Sequence, residues 1–140
     1  NMTADFRNGM PGMGHSGAAR AGMANLTQTA ALEWAHAGVR VNAVAPGWVA
    51  SSGMDSYPDF MKPMIRGLKD HVPLRRMATE AEISAVIVFL LSPGAAFVTG
   101  ITVPIDGGAP LGNGAFPTPD HERSMPFDGF HRSVVPEVLK

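Results

Sequence analysis

Gly38-Val39-Arg40-Val41-Asn42-Ala43-Val44-Ala45-Pro46-Gly47 is the stretch on which the fold turns. Apart from Arg40 and Asn42 its interior is apolar, it is too short for a helix, and Pro46 stops it. A short β-branched run between a glycine and a Pro-Gly corner reads as a buried parallel strand over Val39–Ala45. Upstream, Ala19, Met23, Leu26, Ala30, Trp34 and Ala37 recur at steps of three and four. That spacing predicts a long helix from near Ser16 to about His36 with one buried stripe. Gly38 is placed to be its C-cap, and Ser16 its N-cap.

Further out, Asn1–Ala4 reads as the end of a strand, and Asp5–Gly14, with three glycines and a proline, as a loop. From Trp48 to Val72 the pattern loosens. Ser51-Ser52-Gly53 is a turn, Tyr57-Pro58 breaks the chain, and Phe60–Leu68 fits one or two short helices. Thr79-Glu80-Ala81-Glu82 is a capping box, and the helix behind it carries Ile83, Val86, Ile87, Leu90 and Leu91 on one side as far as Ser92-Pro93-Gly94. Ile101–Ile105 alternates as a second strand, with Pro104 marking an edge or a bulge, and Asp106-Gly107-Gly108 closes it. After Gly108 the composition turns to Gly, Pro and polar residues. Phe127, Phe130, Val134, Val135, Val138 and Leu139 then make the end apolar enough to dock on this subunit or a neighbour.

Helix, strand, helix, strand with short links predicts an α/β protein with a parallel sheet. Residues 1–108 form the domain and 109–140 a tail. Two or three strands leave a sheet with an open edge. Together with the opening Asn1-Met2-Thr3, this leads to the expectation of a chain that begins inside a larger protein, the alternative being a processed or tag-trimmed terminus.

Composition narrows the function. Of 140 residues, 45% are hydrophobic and 16% charged, with a net charge of −1. The near-neutral balance gives no basic footprint for nucleic acid, no apolar run reaches membrane-spanning length, and no leader pattern is present. There are no cysteines, and the five histidines are scattered without ligand spacing. The expectation is a cytoplasmic protein without a metal, acting on a small molecule.

Several segments, taken in order, carry a resemblance. They are Arg20-Ala21-Gly22-Met23-Ala24-Asn25-Leu26-Thr27, Ala31-Leu32-Glu33-Trp34-Ala35, the Gly38–Gly47 run, Phe89-Leu90-Leu91-Ser92, Val98-Thr99-Gly100 and Asp106-Gly107-Gly108. Over residues 1–108 the chain resembles the C-terminal half of a short-chain dehydrogenase/reductase. The resemblance implies a Rossmann-type doubly wound parallel sheet, NADP or NAD as cofactor, and a homo-oligomer (dimer or tetramer). In that family a strand ends in Asn-x-Ser-Ser, and the next helix carries Tyr-x-x-x-Lys. Tyr exchanges a proton with the carbonyl oxygen, while Lys lowers its pKa and holds the nicotinamide ribose. Here Ser16 falls at the Tyr position and Arg20 at the Lys position. Asn1-Met2-Thr3-Ala4 falls on the Asn-x-Ser-Ser segment, with Thr3 beside the substituted Ser.

Arg supplies charge and hydrogen bonds but does not shuttle protons, and a Ser hydroxyl is far less acidic than a phenol. His15-Ser16-Gly17-Ala18-Ala19-Arg20-Ala21-Gly22 is similar to the trans-2-enoyl-CoA and 2,4-dienoyl-CoA reductase branch. There hydride goes to a conjugated carbon, and the substrate oxygen needs hydrogen-bond donors more than a phenol. The resemblance thus assigns Thr3, His15 and Ser16 to polarising the substrate oxygen and Arg20 to the cofactor ribose. Pro46, Gly47, the Val49 backbone and Ser51 fall on the nicotinamide side.

Each feature has a plainer reading. Ser16 can serve as a helix cap, Arg20 can lie along the helix surface, and His15 can be a loop histidine. Lys62, Arg66 and Lys69, followed by Arg75 and Arg76, suit either the phosphates of an acyl-CoA or a solvated face. The small face of Ala19, Ala30 and Ala31 suits a contact between subunits. The predicted function is an NAD(P)-dependent oxidoreductase for an enoyl thioester or related hydrophobic carbonyl. The alternative is a catalytically inactive dinucleotide-binding or oligomerisation protein of the same fold.

Overall fold

A computed structural model of the chain describes residues 9, 11–112, 118–129 and 134–140. The chain divides into two compact units. One lies within Asn1–Pro46 and Ala85–Ile105, the other within Gly47–Ser84 and Asp106–Lys140.

The first unit contains helix α1, Gly14–Trp34, and a two-stranded parallel sheet of β1, Ala43–Pro46, and β2, Thr102–Ile105. Six alanines favour helix along α1, and the buried Thr27 donates its hydroxyl to the Met23 carbonyl at 2.9 Å. A short 3₁₀ turn over Ala35–Ala37 follows, and Gly38 ends it at φ +73° as the expected left-handed cap.

The regular part of β1 is shorter than Val39–Ala45. Arg40 and Asn42 lie ahead of it and explain their own polarity. Arg40 donates to the carbonyls of Val98 and Ser92, and the Asn42 amide bonds Val98 O and Ile101 N, so both tie off the loop that feeds β2. Ala43, Val44 and Ala45 are then buried, as befits a parallel strand covered on both faces. β2 pairs in register, Val44 with Val103 and Ala45 with Pro104. Pro104 has no N–H to give, which confines it to a position whose amide points away from the ladder.

The buried face of α1 differs from the predicted stripe. Thr27, Ala30 and Ala31 are buried, whereas Leu26 is 54% and Trp34 50% exposed, and Ala19 and Ala37 are exposed as well. Of the predicted stripe, Met23 is half-buried and Ala30 buried, and the inner row is completed by Ser16, Arg20, Thr27 and Ala31. Ala30 and Ala31 are therefore inner packing of the unit, not surface available for a subunit contact.

Helix α3, Glu80–Leu91, begins with the predicted capping box. Thr79 N donates to Glu82 Oε2 at 2.9 Å, and Glu82 N donates to Thr79 Oγ1 at 3.2 Å. Its inner face is narrower than the sequence pattern suggests. Ala81 and Leu90 are buried, Ile83 and Val86 half-buried, but Leu91 is 77% exposed.

In the second unit, 3₁₀ turns over Ser52–Ser56 and Asp59–Met61 precede helix α2, Lys62–Gly67, and a last turn over Leu68–His71. Its core is Ile65, Met77 and Val138, with Ala50, Met54, Met61, Leu68 and Leu139 packed around them. No described helix is long and apolar enough to cross a membrane.

Candidate functional site

The predicted site residues fall in both units. On α1, Ser16 is not the N-cap: the helix begins two residues earlier, and the cap position is Met13, which makes no side-chain cap bond. The Pro11–Gly12 turn, with Gly12 at φ +76°, delivers the chain into the helix sooner than composition suggests. His15 is thus a helix residue rather than a loop residue, and it is exposed. Ser16 and Arg20 stand one turn apart on one face and are both half-buried, and Arg20 is engaged in an interaction of its own. The same row continues through Met23 to buried Thr27 and to Ala30 and Ala31. Ser16 and Arg20 therefore belong to the inward row of the helix. Thr3 lies outside the described residues.

The second unit carries Gly47, Val49 and Ser51. A Cβ on Gly47 would stand 2.7 Å from Asp106 Cα, so only a glycine fits where the two backbones meet. Asp106 in turn accepts from Gly108 N at 2.8 Å through its own carboxylate, fixing the Asp-Gly-Gly turn. Beyond Gly47, Val49 forms a parallel bridge with Ala78. The bridge uses Ala78 N donating to Trp48 O and Ala50 N donating to Ala78 O, both at 2.9 Å. Peptide groups alternate sides along an extended chain. The N–H and C=O of Val49 itself thus face away from Ala78, and they take no hydrogen-bond partner among the described residues. Ser51 is half-buried; its carbonyl accepts from Met54 N at 3.0 Å, and its hydroxyl makes no cap bond.

A nicotinamide carboxamide offers one donor group and one acceptor, and the Val49 edge offers the complementary pair. Ser51 adds a hydroxyl within the same extended segment. The Val49 and Ser51 groups, both in the second unit, could hold the pyridine end of a nicotinamide dinucleotide. The bridge partner Ala78 was invisible to sequence reasoning, because a single alanine between Met77 and Thr79 gives no strand signal.

Of the basic residues singled out in the second unit, Lys62, Arg66, Arg75 and Arg76 are engaged within the chain, whereas Lys69 is exposed. Lys62 pairs with Asp59 at 2.6 Å, and Arg66 Nε donates to Val138 O at 2.8 Å. Arg75 donates to the carbonyls of Asp70 and Thr118, and its Nε lies 3.1 Å from Asp120 Oδ1 but out of line for a hydrogen bond. Arg76 forks onto both Glu82 oxygens at 2.7 and 2.8 Å and also reaches Ser124 Oγ. Burial pushes the Glu82 carboxyl up, but the Arg76 fork, with Thr79 N and Phe127 N, outweighs it and brings the pKa down to about 2. In the first unit a groove of about 390 Å³ is lined by Arg40, Asn42, Val44, Ile87, Leu90 and Leu91, among others. It contains none of the predicted site residues.

A parallel two-stranded sheet with its strands linked through helices defines an α/β protein. Residues 1–110 match the family described as enoyl-(acyl carrier protein) reductase, and the chain belongs to the short-chain dehydrogenase/reductase family of Rossmann-fold oxidoreductases.

Among individual proteins, it is 40% identical over 111 residues to a probable 2,4-dienoyl-CoA reductase of Bacillus subtilis (strain 168), covering 77% of this chain and 43% of that protein. It is 37% identical over 100 residues to the 3-oxoacyl-acyl-carrier-protein reductase FabG of Staphylococcus epidermidis (strain ATCC 35984), covering 71% of this chain and 40% of that one. Among solved structures it is similar to a citronellol catabolism dehydrogenase (AtuB) of Pseudomonas aeruginosa PAO1. The identity there is 61% and the TM-score 0.63, over 78% of this chain and 40% of that one. The chain thus spans about two fifths of the length of these relatives.

Proposed function

We propose that the protein carrying this chain is an NAD(P)-dependent oxidoreductase that reduces an enoyl thioester or a related hydrophobic carbonyl compound. The observation that carries this reading is the Val49 edge, a backbone donor and acceptor held outward by the Ala78 bridge two residues after the Pro46-Gly47 corner. The nicotinamide group supplies hydride when bound; the chain's own residues bind and orient. Val49 and Ser51 hold the carboxamide end, and Arg20 holds the ribose. The Thr3 and Ser16 hydroxyls, or alternatively His15, serve as hydrogen-bond donors to the substrate oxygen.

Conjugate reduction suits this set better than alcohol oxidation. A serine hydroxyl can donate a hydrogen bond to a developing negative oxygen but is a poor proton acceptor. An arginine in place of a lysine keeps the charge and loses the proton relay. The probable 2,4-dienoyl-CoA reductase among the relatives points the same way.

The test is an assay of the protein carrying this chain against crotonyl-CoA, longer enoyl-CoA esters, a ketone and an alcohol, followed at the reduced-nicotinamide absorbance band. Turnover with the enoyl thioesters is expected. Turnover with only the alcohol, or with none of them, overturns the reading.

A further inference from the structure

Val138 lies far from the predicted site in sequence, yet all its groups are held. Its side chain is 2% exposed in the core with Ile65 and Met77. Its N–H donates to Asp55 Oδ1 at 2.9 Å, and its carbonyl accepts from Arg66 Nε at 2.8 Å. The Asp55 carboxylate also accepts from Glu137 N at 3.1 Å. It therefore caps the 3₁₀ turn over Glu137–Leu139 from another part of the chain.

Ala50 packs against this same core. Ala50 stands between Val49 and Ser51 on an extended backbone, where neighbouring side chains point to opposite sides. The core therefore presses on one side of the segment whose other side carries the Val49 and Ser51 side chains. The flanking apolar contacts come from Met54 and Met61 together with Leu68 and Leu139. Methionine side chains repack readily, so the packing they offer Ala50 depends on the branched side chain that fills the centre.

We propose that Val138, seated by Asp55 and Arg66, is a positioning residue for the Val49–Ser51 segment, and that the end of the chain thereby sets cofactor affinity. This rests on the reading of Val49 and Ser51 as nicotinamide contacts. Shortening the central side chain lets Ala50 and the methionines settle inward and shifts the Val49 donor–acceptor pair. The loss falls on binding and not on the chemical step, because Val138 touches no reacting group.

The experiment uses the protein carrying this chain with Val138→Ala, Val138→Ile, Asp55→Ala and, as a control, Val135→Ala, whose side chain is 61% exposed. Amide hydrogen exchange is followed over residues 49–54, and Kd and KM for NADPH and NADH are measured with kcat. Val138→Ala and Asp55→Ala are expected to speed exchange at 49–54. They should also weaken dinucleotide binding about tenfold while kcat stays within about twofold. Val138→Ile should restore both and Val135→Ala should change neither. Unchanged exchange at 49–54 in both destabilised seats overturns the proposal, as does a fall in kcat without a change in Kd. If a variant fails to fold, the other seat decides. If the unmodified protein binds neither dinucleotide while exchange still responds, the nicotinamide reading falls and the mechanical coupling stands.

Discussion

Glu82 makes a sharp test of the electrostatics in the second unit. Its two oxygens receive the Arg76 fork, Thr79 N at 2.9 Å and Phe127 N at 3.1 Å. Its side chain is 19% exposed, so solvent screens the group only modestly. The ordinary carboxyl value of 4.5 is brought to about 2 in the fold. A tenfold change in acidity corresponds to about 1.4 kcal/mol, so the folded state gains on the order of 3 kcal/mol from this group at neutral pH. Because the folded value lies below the unfolded one, that contribution is complete above pH 4.5. It declines as pH falls towards 2 and is absent below. Glu82→Gln can keep the bond from Thr79 but leaves the half-buried Arg76 without its counter-charge. Urea unfolding followed by tryptophan fluorescence, repeated from pH 7 down to pH 2, should show the unmodified protein ahead by about 2–3 kcal/mol at pH 7. The gap should close across pH 4.5 to 2. A constant gap over that range, or none at pH 7, refutes the reasoning.

Gly47→Ala should destabilise the fold by about 1–3 kcal/mol, read as a lower midpoint in urea, because the new Cβ meets the Asp106 backbone at 2.7 Å. A midpoint unchanged within error contradicts the close approach. Arg20→Ala should weaken dinucleotide binding at least about tenfold by loss of a charge-assisted contact; equal Kd values in calorimetry remove Arg20 from the cofactor site. Thr79→Ala should cost about 1 kcal/mol of stability through the lost N-cap of α3. Arg75 holds φ +56°, a left-handed conformation that strains a residue carrying a Cβ. Arg75→Gly should relieve the strain but free the chain near Thr118, seen as faster amide exchange there; unchanged exchange would show that the guanidinium holds nothing.

Elements with local signals were readable from the sequence. The capping box at Thr79–Glu82, the glycine cap at Gly38 and the Asp106-Gly107-Gly108 stop each act over a few residues, and the structure shows the bonds that each implies. The face of α1 was only partly readable: Met23 and Ala30 of the expected stripe turn inward, but Leu26 and Trp34 point outward and Ser16, Arg20 and Thr27 share the inner row. Hydrophobicity alone misses inward positions whose polar groups are satisfied within the helix, as that of Thr27 is. The seating of Val138 was also hidden, because its partner Asp55 lies 83 positions away and contacts backbone groups that carry no residue code. At the candidate site, Arg20 and Val49 could be named only through the family pattern. What the structure adds is the orientation of the Val49 peptide groups, which depends on a bridge to Ala78 that no local pattern announces.

That orientation is the most direct thing to measure. Isotope-labelled protein is titrated with NADPH or NADH while the amide resonances of residues 47–51 and 78 are followed. The account predicts a saturable shift of the Val49 amide, with Ala78 nearly still because its N–H remains bonded to Trp48. Dinucleotide binding that leaves Val49 unmoved would contradict it.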